Sequence, residues 1–213
     1  MYENTFFLTN DFVYFLHFPL KNKGGYIKMI YLVRHGQDDE RYVGGHSDID
    51  LIDEGITVSH EVGKWLKEKN LGVSTIYTSD IKRTFTTSTI INEYLGLPKV
   101  TLEKLRGLNK GNLNGMLKTE AALQYPDFIN LKDINVRYPN GESSIDLYKR
   151  IKGLLAEISK YDNSIFVTHR GIVNMFYYIL NDITLDMNKE RFNVTPNSVH
   201  ELDVKKLQIR RIK

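Results

Sequence analysis

Three short motifs place histidine, arginine or serine directly after strand-like runs of apolar residues. They are Arg34-His35-Gly36, the Ser79–Thr84 segment that contains Arg83, and Thr168-His169-Arg170-Gly171. Arginine suits phosphate because its guanidinium presents planar, permanently charged forks of N–H donors. Each motif alone is weak evidence, since a single histidine at a strand end is often structural. Together they predict one phosphate-binding pocket, because ligands of open α/β sheets bind beyond the carboxyl ends of the strands.

The elements that must position these motifs alternate between short β-branched runs and longer amphipathic ones. From Met29 onward this alternation predicts an α/β fold with a largely parallel sheet. The predicted strands are 29–33, 74–78 and 164–168, followed by a closing hairpin over 199–204 and 207–212. The predicted helices are 53–70, about 80–95, about 143–161 and 171–181, with a short one near 120–124. That short helix lies in a long loop over 102–142, and loops of this length are usually functional.

Residues 1–28 stand apart from this pattern. The apolar run Phe12–Leu20 is shorter than the roughly 20 residues of a spanning helix, and no cleavage site follows it, so we expect neither a membrane span nor a targeting signal. Lys23-Gly24-Gly25 before Met29 resembles the translated ribosome-binding region of a bacterial gene. We therefore expect an extension over 1–28 that translation from Met29 would omit, and one domain over 29–213. The alternative is a genuine extension that packs its aromatic residues on the domain or on a partner.

Composition narrows the function classes. The chain has 213 residues, and 29 Lys and Arg against 26 Asp and Glu give a formal charge of +3 without a long basic block. This excludes a nucleic-acid mode carried by a basic tail, and we expect no nucleic-acid or membrane partner. Cysteine is absent, which excludes disulfides, thiolate metal sites and a cysteine nucleophile, and which fits a cytoplasmic location.

Several further motifs accompany the three strand-end motifs. They are the L-x-x-x-G pattern at Leu51–Gly55, Gly111-Asn112-Leu113-Asn114-Gly115 and Pro139-Asn140-Gly141-Glu142-Ser143. With them, the chain from about Met29 to the final hairpin resembles the histidine phosphatase superfamily, also called phosphoglycerate mutase-like, in its small phosphatase branch. The resemblance implies a three-layer α/β/α sandwich with a mainly parallel sheet.

The resemblance also implies a phosphohistidine mechanism. His35 would be the nucleophile, with Arg34, Arg83 and His169 around the phosphoryl group, and no metal or cofactor would be required. A neutral imidazole can attack phosphorus when a hydrogen bond holds one ring nitrogen so that the other faces it. Gly36 would leave room for backbone N–H groups to approach the oxygens, and a helix beginning near position 80 would favour the anion through its dipole.

The most consequential departure from the family pattern lies in the long loop. The pattern L-x-E-x-x-x-G places a glutamate as the general acid, whereas Gly107 stands at that position here. Losing a general acid typically costs about 10²–10⁴-fold in rate. Candidates for a substitute are Asp38, Asp39, Glu40 and Glu142, and we slightly favour Glu142. A carboxylate at position 142 could equally serve the amino-terminal cap of the next helix.

Other charged residues near the motifs are candidates for substrate binding. Arg41 stands where relatives often carry a phosphate-contacting asparagine, and Arg170 could contact the substrate or extend into solvent. Asp38 is not expected to touch phosphate while it is ionised. For His46, a place at the pocket mouth is open, but a surface role is favoured, as it is for His60 and His200.

These observations lead to one main functional expectation. The chain should be a metal-independent phosphomonoesterase that hydrolyses a small phosphorylated metabolite, slowly or with a good leaving group. A weakened phospho-ligand-binding module is the alternative, favoured by Gly107 and opposed by the intact histidines and arginines. A phosphoglycerate mutase-type phosphotransferase is less expected, because the chain lacks the extra insertions of the large mutases.

Overall fold

The computed structural model describes residues 8–9, 12–13, 28–186 and 188–213. Its eight strands are β1 (Leu8–Thr9), β2 (Phe12–Val13), β3 (Met29–Arg34), β4 (Thr75–Thr78), β5 (Lys99–Thr101), β6 (Ser164–Thr168), β7 (Val199–Asp203) and β8 (Gln208–Arg211). β1 and β2 pair with each other as a separate antiparallel sheet. The expectations for the remainder of the extension up to position 27 lie outside the described residues.

The other six strands form one mixed, mostly parallel sheet in the order β5-β4-β6-β3-β7-β8. β5, β4, β6 and β3 are parallel, whereas β7 and β8 add to the β3 edge in antiparallel orientation. The α/β fold with a mainly parallel sheet is therefore confirmed. β5 was not expected, because its three residues are too few to show a periodicity.

Six helices connect these strands: α1 (Asp53–Lys69), α2 (Lys82–Leu95), α3 (Lys118–Gln124), α4 (Pro126–Ile129), α5 (Ser144–Ala156) and α6 (Arg170–Leu180). Single 3₁₀ turns cover Glu103–Leu105, Gly111–Leu113 and Ile158–Tyr161. The loop over 102–142 thus carries two short helices and two of these turns. α5 begins with a capping box in which Ser143 and Asp146 exchange hydrogen bonds. None of the described helices is long and apolar enough to cross a membrane.

Two apolar cores cover the two faces of the sheet. Successive side chains of a strand point to opposite faces, so Ile30 and Leu32 of β3 pack with α5 and α6, whereas Tyr31 and Val33 pack with α1 and α2. A strand buried on both faces needs a continuous apolar run, and β3 has one. The result is three layers, helices on each side of the sheet.

The strand order decides where the three motifs lie. β4, β6 and β3 are neighbours, with Thr78 in register with Val167 and Arg34 in register with Thr168. Their carboxyl ends therefore meet at one edge of the sheet, and the residues that follow them face a common space.

Candidate active site

His35 follows β3 directly, and the backbone holds its ring in one orientation. Nδ1 lies 2.6 Å from the carbonyl oxygen of Gly36, and because a carbonyl only accepts, Nδ1 carries the proton. Nε2 accepts a hydrogen bond from Nε of Arg83 at 3.2 Å. The backbone N–H of His35 donates to the Thr168 carbonyl at 2.8 Å, which ties the end of β3 to that of β6. Nε2 therefore carries a lone pair in a fixed position.

Arg83 is the second residue of α2, and all three of its guanidinium nitrogens have partners. Besides the bond to His35, Nη1 donates to Oγ of Ser47 at 3.1 Å and Nη2 donates to the carbonyl of Gly45 at 2.7 Å. A carboxylate oxygen of Asp38 lies 3.3 Å from Nε. The side chain is only 3% exposed, so the guanidinium plane is held rigidly.

His169 follows β6, and its contacts with Arg83 and Ser79 set its tautomer. Nδ1 lies 3.2 Å from Nη2 of Arg83, which can only donate. The ring proton therefore sits on Nε2 and donates to Oγ of Ser79 at 3.1 Å. Ser79 in turn bonds Oγ1 of Thr84 at 2.6 Å, and Thr84 donates to the carbonyl of Ile81 at 2.7 Å. The Ser79–Thr84 segment thus supplies both the guanidinium and the hydroxyl relay.

The two imidazoles lie edge to face with their centroids 5.1 Å apart. Burial lowers the pKa of both His35 and His169 well below the ordinary value of 6.5, and the neighbouring Arg83 lowers both pKa values further. Both rings are therefore neutral at pH 7, which is the state in which an imidazole can act as a nucleophile.

Arg34, the last residue of β3, offers an unused donor. Its Nη1 donates to the carbonyl of Val194 at 2.7 Å, but its buried Nε has no hydrogen-bond partner within the part of the chain that the structure describes. Burial and the nearby Arg170 lower the pKa of Arg34 to about 10, so it stays charged at neutral pH. An unpaired buried donor is costly, and Arg34 keeps this cost while it lines the cavity.

These four side chains line one cavity of about 570 Å³, a size typical of sites for small molecules. We call Arg34, His35, Arg83 and His169 the phosphate floor. The described residues contain no group of three or more His, Asp and Glu side chains placed to hold a metal ion. The floor is instead suited to an anion with several oxygens, because it combines two buried guanidiniums with two neutral imidazoles.

The sequence from residue 30 to residue 211 matches the profile of the histidine phosphatase superfamily (branch 1). The chain belongs to this superfamily. Two relatives and one solved structure are similar to this chain over most of its length.

The Bacillus subtilis (strain 168) protein called uncharacterized phosphatase PhoE is 34% identical over 149 residues, which are 67% of this chain and 72% of that protein. Phosphoglycerate mutase-like protein 4 of Arabidopsis thaliana is 32% identical over 161 residues, 70% of this chain and 69% of that protein. The fold is shared with a mycobacterial glucosyl-3-phosphoglycerate phosphatase, with a TM-score of 0.70 over 87% of this chain and 97% of that one, at 22% identity.

In this member of the superfamily the backbone at Gly107 lies against the second histidine, His169. A Cβ built on Gly107 would come within 3.2 Å of Cγ and 3.5 Å of Nδ1 of His169. The Gly107 carbonyl accepts hydrogen bonds from Nε2 of His46 and Nη2 of Arg150, each at 3.0 Å. A longer side chain at position 107 would therefore project beside His169, from a loop that is held in place. His46 holds this loop and is half buried, so its role is not at the surface as favoured from sequence.

Two residues expected to bind substrate do not reach the phosphate floor. Both carboxylate oxygens of Glu142 face Arg150, at 3.1 and 2.9 Å, and one of them also accepts from the backbone N–H of Asn109. Arg41 is 78% exposed and pairs with Asp39. Neither Glu142 nor Arg41 lines the cavity. Each is held instead by an ion pair, Glu142 with Arg150 and Arg41 with Asp39.

Gly36 has a different role from the expected one. Its N–H donates to Oγ1 of Thr87 at 3.0 Å and is not free for a phosphate oxygen. A Cβ at this position would approach the Gly55 carbonyl to 2.6 Å and Oγ of Ser59 to 2.8 Å. Gly36 is therefore needed for the close packing of the β3 end against α1.

The remaining predicted residues divide between cavity, surface and core. Arg170 lines the cavity and forms an ion pair with Glu190 at 2.5 Å. His60 lies at the surface, with its side chain 37% exposed. The expected surface role of His200 is wrong: the residue is fully buried, because β7 is an interior strand, and its ring bonds Tyr177 and Ser198.

Asp38, for which contact with phosphate was not expected, lines the cavity and faces Arg83. Four further cavity residues were missed from the sequence. The other walls include Lys110, Lys118, Asn174 and Lys189. These come from two loops and two helices and share no spacing, so no local pattern could have identified them.

Proposed function

We propose that this histidine phosphatase is a phosphomonoesterase that hydrolyses a small phosphorylated metabolite through a phosphohistidine on His35. One observation carries the proposal. The His35 ring is neutral and buried, its proton is held on Nδ1 by the Gly36 carbonyl, and its Nε2 lone pair lies 3.2 Å from Nε of Arg83. An incoming phosphoryl group would replace the contact between His35 and Arg83. Its phosphorus would then face Nε2 of His35, and its oxygens would accept hydrogen bonds from the Arg83 guanidinium.

In the first step, Nε2 of His35 attacks phosphorus and the bond to the ester oxygen breaks, so that the electron pair leaves with the alcohol. The guanidiniums of Arg34 and Arg83 stabilise the negative charge on the equatorial oxygens. The Gly36 carbonyl continues to accept from Nδ1–H and stabilises the positive charge that the ring acquires. In the second step, water attacks phosphorus, the N–P bond breaks and its electron pair returns to Nε2. One proton of the water stays on the inorganic phosphate, and the other passes to solvent, which balances the proton that the released alkoxide takes from solvent.

The leaving alkoxide lacks an evident proton donor. Gly107 has no side chain, and Glu142 is held by Arg150. Asp38 and Glu40 line the cavity, but the Asp38 carboxylate is engaged by Nε of Arg83, at 3.3 Å. We therefore expect efficient hydrolysis only of esters whose alcohol leaves readily as an anion.

The test compares an aryl phosphate, p-nitrophenyl phosphate, with an alkyl phosphate of similar size. The aryl ester should turn over far faster. In a separate measurement the phosphohistidine is trapped without acid quenching, because the N–P bond is acid-labile. Equal turnover of both esters at a useful rate would show that another acid has taken over.

Gly107→Glu sharpens this test. The carboxyl group should raise alkyl phosphate hydrolysis more than aryl hydrolysis, by about 10²-fold or more, with a new pH-dependent limb. Gly107→Gln is the matched control, since it adds the same bulk beside His169 without a proton to donate. Melting temperatures must show that both variants fold, because the added Cβ is closely packed.

A binding module is the second candidate, and the missing side chain at position 107 favours it. If neither ester turns over with Gly or Glu at position 107, while inorganic phosphate still binds, the phosphatase proposal fails and the binding role stands.

A further inference from the structure

Thr87 joins two segments of the phosphate floor through one hydroxyl group. It lies on α2, four residues after Arg83, and it is fully buried. Its Oγ1 donates to the Arg83 carbonyl at 2.8 Å and accepts from the backbone N–H of Gly36 at 3.0 Å. A hydroxyl has one proton to donate and lone pairs to accept, so both bonds form at once. The hydroxyl therefore links the helix turn that carries Arg83 to the residue that follows His35.

The bond between Thr87 and Gly36 is not a helix bond. Thr89 of α2 and Thr57 of α1 also donate to the carbonyl four residues earlier, at 2.8 and 3.0 Å, and both of these residues are exposed. Such a bond is local and common in helices. The bond from Gly36 instead connects residues that are 51 positions apart in the chain. Local helix stability thus explains one bond of Thr87 and not the other.

The peptide group between His35 and Gly36 is held at both ends. Its N–H donates to Thr87, and its carbonyl oxygen, that of His35, accepts from the backbone N–H of Asn197 at 3.3 Å. Rotation of this peptide group would break both bonds. The Gly36 carbonyl that comes next accepts from Nδ1 of His35 at 2.6 Å and so fixes the tautomer of the ring. The orientation of the ring therefore depends on the peptide group that Thr87 holds.

The direct contact between His35 and Arg83 cannot set their spacing during the reaction. Nε2 of His35 lies 3.2 Å from Nε of Arg83, and under the proposed function a phosphoryl group enters between these two atoms and replaces the contact. Thr87 does not line the cavity, and its bonds are made to main-chain groups. These bonds therefore persist while the phosphoryl group is bound.

We propose that Thr87 is a positioning residue, which keeps Nε2 of His35 and the guanidinium of Arg83 at a fixed spacing while the phosphoryl group lies between them. This inference rests on the proposed function for the reaction itself. Thr87 acts through the main chain of Gly36 and Arg83 and does not touch the substrate. The spacing matters because a displacement of about 1 Å at a reacting group can cost about 10²-fold in rate.

Two substitutions separate the hydroxyl group from the shape of the side chain. Thr87→Val keeps the shape and leaves the buried N–H of Gly36 without an acceptor, whereas Thr87→Ser keeps the hydroxyl. With p-nitrophenyl phosphate, Thr87→Val should lower kcat by about 10- to 10²-fold with little change in KM, and Thr87→Ser should retain most of the activity. Thr89→Val is the matched control, because it removes the same kind of local helix bond at an exposed position of α2. It should behave as wild type.

Imidazole ¹⁵N NMR gives a second readout that does not require turnover. In the wild type, Nδ1 of His35 carries the proton and Nε2 does not, so the two nitrogens should give separate signals, which are assigned by their loss in His35→Ala. Thr87→Val should move both signals towards the averaged position of exchanging tautomers, whereas Thr87→Ser and Thr89→Val should keep the wild-type pattern. If the melting curve shows that Thr87→Val does not fold, Thr87→Ala removes the same hydroxyl group.

An unchanged kcat in a folded protein without the Thr87 hydroxyl would overturn the proposal, whatever the tautomer of His35. A loss of kcat that Thr87→Ser does not restore, or that Thr89→Val shares, would assign the effect to packing or to the helix and would overturn it as well. If the wild type turns over no ester while the tautomer of His35 still depends on the Thr87 hydroxyl, the phosphatase proposal fails and Thr87 remains a residue that orients His35.

Discussion

The phosphate floor shares its cavity with a group of three lysines, Lys110, Lys118 and Lys189, which we call the lysine cluster, and the two are built in opposite ways. Arg83 and His169 of the floor are 3% and 4% exposed, and each of their ring or guanidinium nitrogens has a partner. The lysine cluster lies on loops and on the first residue of a short helix. The floor is therefore held in place by its own hydrogen bonds, whereas the lysines are long side chains on less regular backbone.

Under the proposed function, the phosphate floor performs the chemistry and the lysine cluster contributes to substrate selectivity. Transition-state stabilisation requires donors that do not have to reorganise during the reaction, and strand ends and a helix start provide such rigid positions. Recognition of the rest of a substrate tolerates long, flexible side chains, whose ordering costs entropy when the ligand binds. The following predictions test whether the two regions divide the work in this way.

The largest effect is expected from removing the nucleophile. His35→Ala should lower phosphate release by at least about 10³-fold and abolish the acid-labile phosphoprotein, because no other lone pair takes the position of Nε2. Phosphate release and labelling are measured together. His60→Ala, a histidine exposed on α1, should behave as wild type, and a His35→Ala protein that keeps substantial turnover would remove His35 from the mechanism.

The second-largest effect is expected from changing the geometry of the donors at Arg83. Arg83→Lys keeps the charge but loses the planar set of donors that bonds His35, Ser47, Gly45 and His169. We expect kcat for p-nitrophenyl phosphate to fall by about 10²-fold, as for a lost oxyanion donor. Lys82→Gln on the same helix is the control. A rise in KM with unchanged kcat would make Arg83 a ground-state binder.

A smaller effect should follow from the hydroxyl relay. Ser79→Ala leaves the Nε2–H of His169 without an acceptor, and a buried donor left unsatisfied costs about 1–3 kcal/mol. Turnover should fall by about tenfold, with little change in KM and a shifted acid limb in the pH profile. Ser88→Ala removes another buried hydroxyl of the α2 region, one that bonds only the Phe85 carbonyl, and should leave the pH profile in place.

The last effect is on stability and not on turnover, and it follows from the neutral state of the buried histidines. His35, His169 and the core residue His200, whose pKa burial lowers to about 4, are neutral when folded and bind protons near pH 6.5 when unfolded. The unfolded state then binds more protons as the pH falls below about 6.5, so stability decreases, by about 1.4 kcal/mol per pH unit for each such histidine.

Urea unfolding between pH 7.5 and pH 5.5 measures this slope. His200→Gln should make the slope shallower by the share of one histidine, whatever its effect on stability at pH 7.5. Identical slopes for the two proteins would mean that His200 is protonated in the folded state.

Much of the fold could be predicted because it follows from local patterns. The apolar run of β3, the amphipathic period of α1 and the stop signal at Gly96 each act within a few residues, and the structure ends α2 at Leu95 as expected. The short strand β5 escaped prediction because its three residues show no periodicity and pair only with β4 at the edge of the sheet. His200 was misplaced for a similar reason, since only the antiparallel addition of β7 beside β3 buries it.

The candidate site likewise combines features that local patterns predict with features that depend on the folded structure. The types and order of His35, Arg83 and His169 pointed to phosphate because each residue follows a strand, and parallel strands deliver their ends to one edge. Glu142 and Arg41 could not be excluded in advance, although their partners Arg150 and Asp39 are only eight and two residues away in the chain, because the side-chain directions that pair them depend on the backbone conformation.

By itself, the sequence determined the class of fold, the carboxyl edge as the place of the site, and the residue types for phosphoryl chemistry. Each of these depends on interactions between near neighbours in the chain. Only the tertiary structure decided which tautomer each histidine holds, where the carboxylates go, and that Lys110, Lys118 and Lys189 meet in one cavity. The tautomer of His169, the pairing of Asp38 with Arg83 and the meeting of the lysines depend on contacts between residues far apart in sequence, and such contacts leave no periodicity to read. The tautomer of His35 is set by the adjacent Gly36, through a backbone conformation that the residue types do not show.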